Sequence, residues 1–285
     1  MTSTSGSTSI DQVLAWHPHW DVWLVVGFLA FAYWYSIARI APHVLPEGTR
    51  PVSRRQVTLF VAGLLTLWLV SDWPIHDIGE KSLFTFHMVE HLVISLVAAP
   101  LLLLGIPPWM ARLVAGRPKV LAVLRPLSRP LAAFFFFNLV LAGLHWPTII
   151  RLMVTNEFMH LGVHVALFAS AILMWMPVLS PLPEVPRLGR PGAMMYLFAQ
   201  SLVPTVPASF LVFGKTPLYD VYVVAPKLWD WDPMMDQAVA GLIMKLGGGF
   251  LLWITIAVIF FRWYGEERRW DAIETDLRAE SSPSL

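Results

Sequence analysis

The sequence contains no cysteine. That removes disulfides, thiol nucleophiles and thiolate metal ligands together, and leaves His, Met, Asp and Glu as the side chains able to bind a transition metal. Charge is scarce as well: 14% of residues are Asp, Glu, Lys or Arg, against about 25% in a typical soluble domain. The net charge is +1, so no overall basic field points to nucleic acid and no acidic field to a polycation. Four signatures are also missing: the nucleophile elbow, the phosphate loop, the dinucleotide fingerprint and HExxH. A non-enzymatic role is therefore expected. No Lys or Arg precedes the first apolar run and no small-residue cleavage pattern follows it, so a removable signal peptide is not expected.

What the chain has instead is length in apolar runs. Hydrophobic residues make up 56% of the whole. Seven stretches reach or approach the roughly 20 apolar residues that cross a bilayer, near 21–41, 56–73, 82–105, 131–147, 157–179, 192–213 and 235–264. Pro and Gly punctuate them in APHVLPEG, GIPP and SPLPEVPRLGRPG. The expected fold is an all-α polytopic bundle of seven transmembrane helices over 21–264. A flexible external segment (1–20) precedes it and a frayed cytoplasmic tail (265–285) follows. Basic residues sit in alternate loops: Arg39, Arg50, Arg54 and Arg55; Arg112, Arg117, Lys119, Arg125 and Arg129; Arg187 and Arg190; Arg262, Arg268, Arg269 and Arg278. The opposite loops hold only Lys81, Arg151, Lys215 and Lys227. The positive-inside bias then puts the N-terminus outside and the C-terminus in the cytoplasm. The basic stretch WMARLVAGRPKVLAVLRPLSRP reads as a topology anchor or a segment lying on the inner leaflet.

With that orientation, every one of the 9 histidines except His43 falls toward the outer side. His87 and His91 lie four residues apart on one face of the third span, and His160 and His164 repeat the spacing on the fifth. Counted from Ser82 and Asn156, both pairs lie roughly 6 to 14 Å below their helix starts, at about 1.5 Å per residue. If the two helices face each other, four imidazoles converge and can clamp one cation. A single buried histidine is ordinarily a packed residue; two level pairs in an uncharged layer favour ligation of a metal or cofactor.

Glu90 shares that turn, and Lys245 in GLIMKLGGGF lies near the same depth. Either they pair with each other, or Glu90 orients a ligand imidazole. His145 and Asp236 crowd the same end. Met88 and Met159 point about 100° from the neighbouring histidines, so packing is the simpler reading for them. His17 and His19 sit among tryptophans as interfacial anchors, and His76 in SDWPIHDIGE reads as solvated loop polarity.

The order HMVEHLVISLVAAPLLLLGIP, LHWP, HLGVH leading into LMWMPVLSP, TPLYDVY and DPMMDQAVAGLIM resembles the CtaG-type family of cytochrome c oxidase assembly factors. The likeness extends from about Asp11 to Tyr264. It implies a membrane assembly factor for a haem-copper oxidase in the bacterial cytoplasmic membrane. The expected partners are an oxidase subunit and a periplasmic copper donor, with copper at His87, His91, His160 and His164. The resemblance also maps Asp236, Gln237 and Met244 onto the start of the last span. Three positions depart from the family pattern: His145 precedes Trp146 rather than following a tryptophan, Val163 stands where a glutamate is common, and Lys245 replaces an apolar residue. A haem b protein with one axial histidine from each helix is the alternative.

Overall fold

A computed structural model describes residues 10–281. Every regular element among the described residues is helical. Six helices are long and apolar enough to cross a membrane: α1 (Trp20–Val44), α2 (Arg54–Lys81), α3 (Phe84–Gly105), α7 (Glu157–Leu179), α8 (Arg190–Phe213) and α9 (Pro233–Trp270). The remaining expected span is the shorter α5 (Pro130–Leu144), set at 79° to the preceding helix α4 (Pro118–Leu127). Prolines at 118, 126 and 130 explain the geometry: each lacks an N–H donor, and each opens a helix or ends one. A further helix, α6 (Pro147–Thr155), leads from α5 into α7.

The sequence shows why the long helices begin and break where they do. Ser53 and Gln56 form a reciprocal capping box at the head of α2. Asn156 accepts from the Met159 amide to start α7. The head of α3 has no cap of its own; Asp236 of α9 supplies one, accepting from the Phe84 and Thr85 amides at 2.9 Å each. A π turn at Ile94–Ala98 precedes Pro100, whose missing N–H interrupts the ladder there, and a second π turn at Ile243–Gly247 contains Lys245.

α2 and α3 pack most closely. A Cβ on Gly105 would lie 2.6 Å from the Phe60 amide nitrogen, and one on Gly63 would lie 2.8 Å from the Leu102 side chain. Small residues let backbones approach where lipid offers no hydrophobic drive between helices. The lower core closes on Trp175, which is fully buried and donates to the Ser95 carbonyl at 2.9 Å. The outside of the bundle stays greasy, with Phe158, Phe210 and Phe250 all well exposed, as a lipid-facing surface requires.

The two ends differ from the sequence expectation. Residues 1–9 lie outside the described residues, but Ile10–Leu14 form a short helix that packs Val13 against Ile78, Leu83 and Leu228. At the other end the helix of α9 continues to Ser281 rather than fraying at Gly265. One glycine costs a helix only about 1 kcal/mol, and Glu266 is tied to Arg190 by an ion pair.

Candidate metal centre

The last part of α2, Ile75–Lys81, is the key to the site. Asp72 interrupts α2, accepting from the Trp73 amide at 2.9 Å and from the Trp23 indole of α1 at 2.7 Å. The chain then resumes as IHDIGEK, whose backbone presses against α3: a Cβ on Gly79 would stand 2.7 Å from the His87 amide nitrogen. The Tyr222 hydroxyl donates to the Gly79 carbonyl at 2.8 Å, and burial raises the phenol's pKa so that it remains a donor. This turn carries His76, Asp77 and Glu80 into the bundle.

His76 is therefore buried, at 7% exposure, and is not a solvated loop residue. Its ring stacks edge-on between His19 and His160, at 4.7 and 4.8 Å between centroids. One ring nitrogen from each of His76, His160 and His164 lies within 4.8 Å of the other two. Carboxylates stand behind two of them. His76 Nδ1 donates to Glu90 at 2.9 Å, and His160 Nδ1 donates to Glu80 at 3.0 Å. His164 Nδ1 donates to the His160 carbonyl at 3.2 Å. Each of these bonds places an N–H on Nδ1, so in the neutral ring the lone pair is on Nε2, the arrangement that hydrogen-bond acceptors impose on metal-ligating histidines.

The Nε2 atoms of His160 and His164 are buried without a hydrogen-bond partner. His164 Nε2 lies 3.1 Å from Glu90 Oε1, yet the approach lacks hydrogen-bond geometry. A lone pair and a carboxylate oxygen that close repel each other unless a proton or a cation lies nearby. The trio also faces a cavity of about 190 Å³ walled by aliphatic residues of α1 and α7, including Val25, Leu29 and Val165. On the far side His19 bonds Asp77 at 2.9 Å and Lys81 pairs with the same carboxylate.

The four histidines expected from the sequence divide between two layers. His160 and His164 join His76. The His87 and His91 rings meet tilted at 4.0 Å between centroids and face inward, with His91 5.4 Å from His164 and 6.3 Å from His145. The division follows from helix geometry: Glu90 and His91 are neighbours in sequence and so point about 100° apart, and it is Glu90 that turns toward α7. Lys245 does not meet Glu90; it bonds the Ser201 carbonyl at 3.3 Å and the Thr205 hydroxyl of α8. Asp236 also lies apart from the imidazoles, held by the head of α3 and by Lys227 at 3.1 Å. Sequence reading missed His76, Asp77 and Glu80. Their signal was present, since His76 and Glu80, like Asp77 and Lys81, are spaced i, i+4.

Several apolar helices enclosing a buried cluster of histidines and carboxylates define a multi-pass membrane protein built around a polar site. Residues 21–266 match the family model of the cytochrome c oxidase caa3 assembly factors (Caa3_CtaG), and the chain belongs to that family. No curated protein and no solved structure matches it.

The close approach at Gly79 gives a direct test of this construction. Gly79→Ala is expected to push the His76 turn from α3, costing about 1–3 kcal/mol through overpacking and loosening the trio. Thermal unfolding of the purified variant in detergent should read that loss as a lowered midpoint.

Proposed function

We propose that the protein holds a copper ion at His76, His160 and His164 and hands it to a haem-copper oxidase subunit during assembly, without catalysing a reaction itself. The observation that carries this reading is the convergence of three imidazoles within 4.8 Å, with carboxylates fixing the tautomers of two. The residues fit the cargo. Imidazole nitrogens suit copper, Glu90 offsets part of its charge, and the unpartnered Nε2 atoms of His160 and His164 are ready donors. His87 and His91, one layer deeper, and His145 beside them extend the imidazole path.

Release needs moderate affinity and a way out, since a fully closed site would retain its ion. Three ligands at the wall of an open cavity meet that need better than four in a cage. The alternation of Lys and Arg between loops supports an orientation with the histidine end on the outer side of a bacterial cytoplasmic membrane, where a periplasmic donor would reach it past His19. A haem b site is less well supported, because neighbouring imidazoles pack at 4.0 to 5.4 Å between centroids and leave no slot for a macrocycle.

The test is made on the recipient. Oxidase purified from cells carrying His76→Ala should show a copper-to-haem ratio several-fold below that from wild-type cells, with the variant present in the membrane at normal level. An unchanged ratio would refute the proposal.

A further inference from the structure

A separate chamber of about 60 Å³ is lined by residues of α3, α5, α7, α8 and α9. Met88, His91, His145, Met174 and Met244 line it, and all five are buried. Both ring nitrogens of His91 and Nε2 of His145 are buried with no hydrogen-bond partner. Each buried polar atom left unmet costs about 1–3 kcal/mol, so an imidazole with neither nitrogen satisfied points to an occupant. The chamber exceeds the roughly 10–15 Å³ that a single water or ion requires. His145 is already set for ligation: its Nδ1 donates to the Leu141 carbonyl at 2.6 Å, which leaves the Nε2 lone pair free.

We propose that this chamber is a second metal site, selective for a soft monovalent cation such as Cu(I), held by His91 and His145 with thioethers of Met88, Met174 and Met244. Two arguments set the charge and the softness. No Asp or Glu lines the chamber, and the Born cost of burying an ion grows with the square of its charge, so a divalent ion without a carboxylate pays about four times the penalty of a monovalent one. Thioether and imidazole donors together favour Cu(I). Methionine alone would be ordinary core packing; three thioethers sharing one void with unsatisfied imidazoles are a donor set. The outer trio differs in kind, since its cavity is lined by Glu90 and contains no methionine. His91 and His164 lie ring to ring at 5.4 Å, so the two sites adjoin.

The proposal rests on the copper reading above, and Ag(I), a redox-inert mimic of Cu(I), separates the two. Purified protein in detergent should bind one equivalent of Ag(I), with X-ray absorption showing sulfur as well as nitrogen scatterers. Met88→Leu/Met174→Leu/Met244→Leu, nearly volume-conserving, should remove the sulfur shell and weaken Ag(I) binding at least tenfold while divalent copper binding stays unchanged. His76→Ala/His160→Ala should do the reverse. A nitrogen-only shell in the wild-type protein would overturn the proposal, as would loss of Ag(I) binding in the His76→Ala/His160→Ala variant with retention in the methionine variant. Retained silver–sulfur ligation in a protein that binds no divalent copper would sink the outer site and leave the chamber standing.

Discussion

Replacing His160 and His164 together by alanine is expected to lower copper affinity by at least about 100-fold, while the metal-free protein keeps its thermal stability or gains slightly. The first effect exceeds the roughly 10–100-fold typical of losing a group that only hydrogen-bonds a ligand, because two ligands are removed outright. The second follows from the cost the native site carries. Both Nε2 atoms are buried without partners, and the His164 lone pair faces Glu90 at 3.1 Å, so deleting the rings relieves unfavourable contacts that offset the lost bond from His160 to Glu80. A structural cluster would behave the opposite way. Glu80→Gln supplies the intermediate step: it weakens the acceptor behind His160 Nδ1 and should cost about 10-fold in affinity with the ligands intact. Copper titration and thermal melts on the same preparations read both quantities.

The largest effect on stability is expected at Asp236. Its carboxylate holds the Phe84 and Thr85 amides and the Lys227 ammonium, and it is 1% exposed. Asp236→Ala leaves two helix-head N–H groups without partners and takes the carboxylate from the half-buried Lys227, which keeps the Ser82 carbonyl, a loss of about 3–5 kcal/mol. Asp236→Asn keeps one acceptor oxygen and should cost about half as much. Thermal unfolding in detergent ranks them. Because Asp236 sits away from the imidazoles, the folded fraction of either variant should bind copper with unchanged stoichiometry. Loss of copper binding in well-folded Asp236→Asn would place Asp236 in the site after all.

Much of the bundle was legible because span length and Pro/Gly breaks are local properties of the chain. The ranges 82–105 and 157–179 fall within two residues of α3 and α7, and the spacing of His160 and His164 correctly placed both on one face. What the sequence hid is rotation about helix axes. Lys245 shares the depth of the histidines, but it lies inside the Ile243–Gly247 π turn, where one extra residue swings the following side chains by about 100°, and it bonds α8 instead. His76 reaches Glu90 across 14 residues only because the chain restarts as a helix after Pro74. Composition around Pro74 suggests a loop, whereas the i, i+4 spacing of His76 with Glu80 suggests a helix face. The spacing was the better guide. Met88 shows a further limit: judged against the adjacent His87 it points about 100° away, yet it shares a void with His91 that residues from four other helices complete.

The central claim is that His76, His160 and His164 form one copper site with Glu90 and Glu80 behind it. X-ray absorption at the copper edge, on protein loaded with one equivalent of divalent copper, tests it most directly. The expected spectrum contains the multiple-scattering pattern of about three imidazoles, and that pattern disappears, with the copper, in His76→Ala/His160→Ala/His164→Ala. Copper retained in the triple variant with the same imidazole signature would contradict the account.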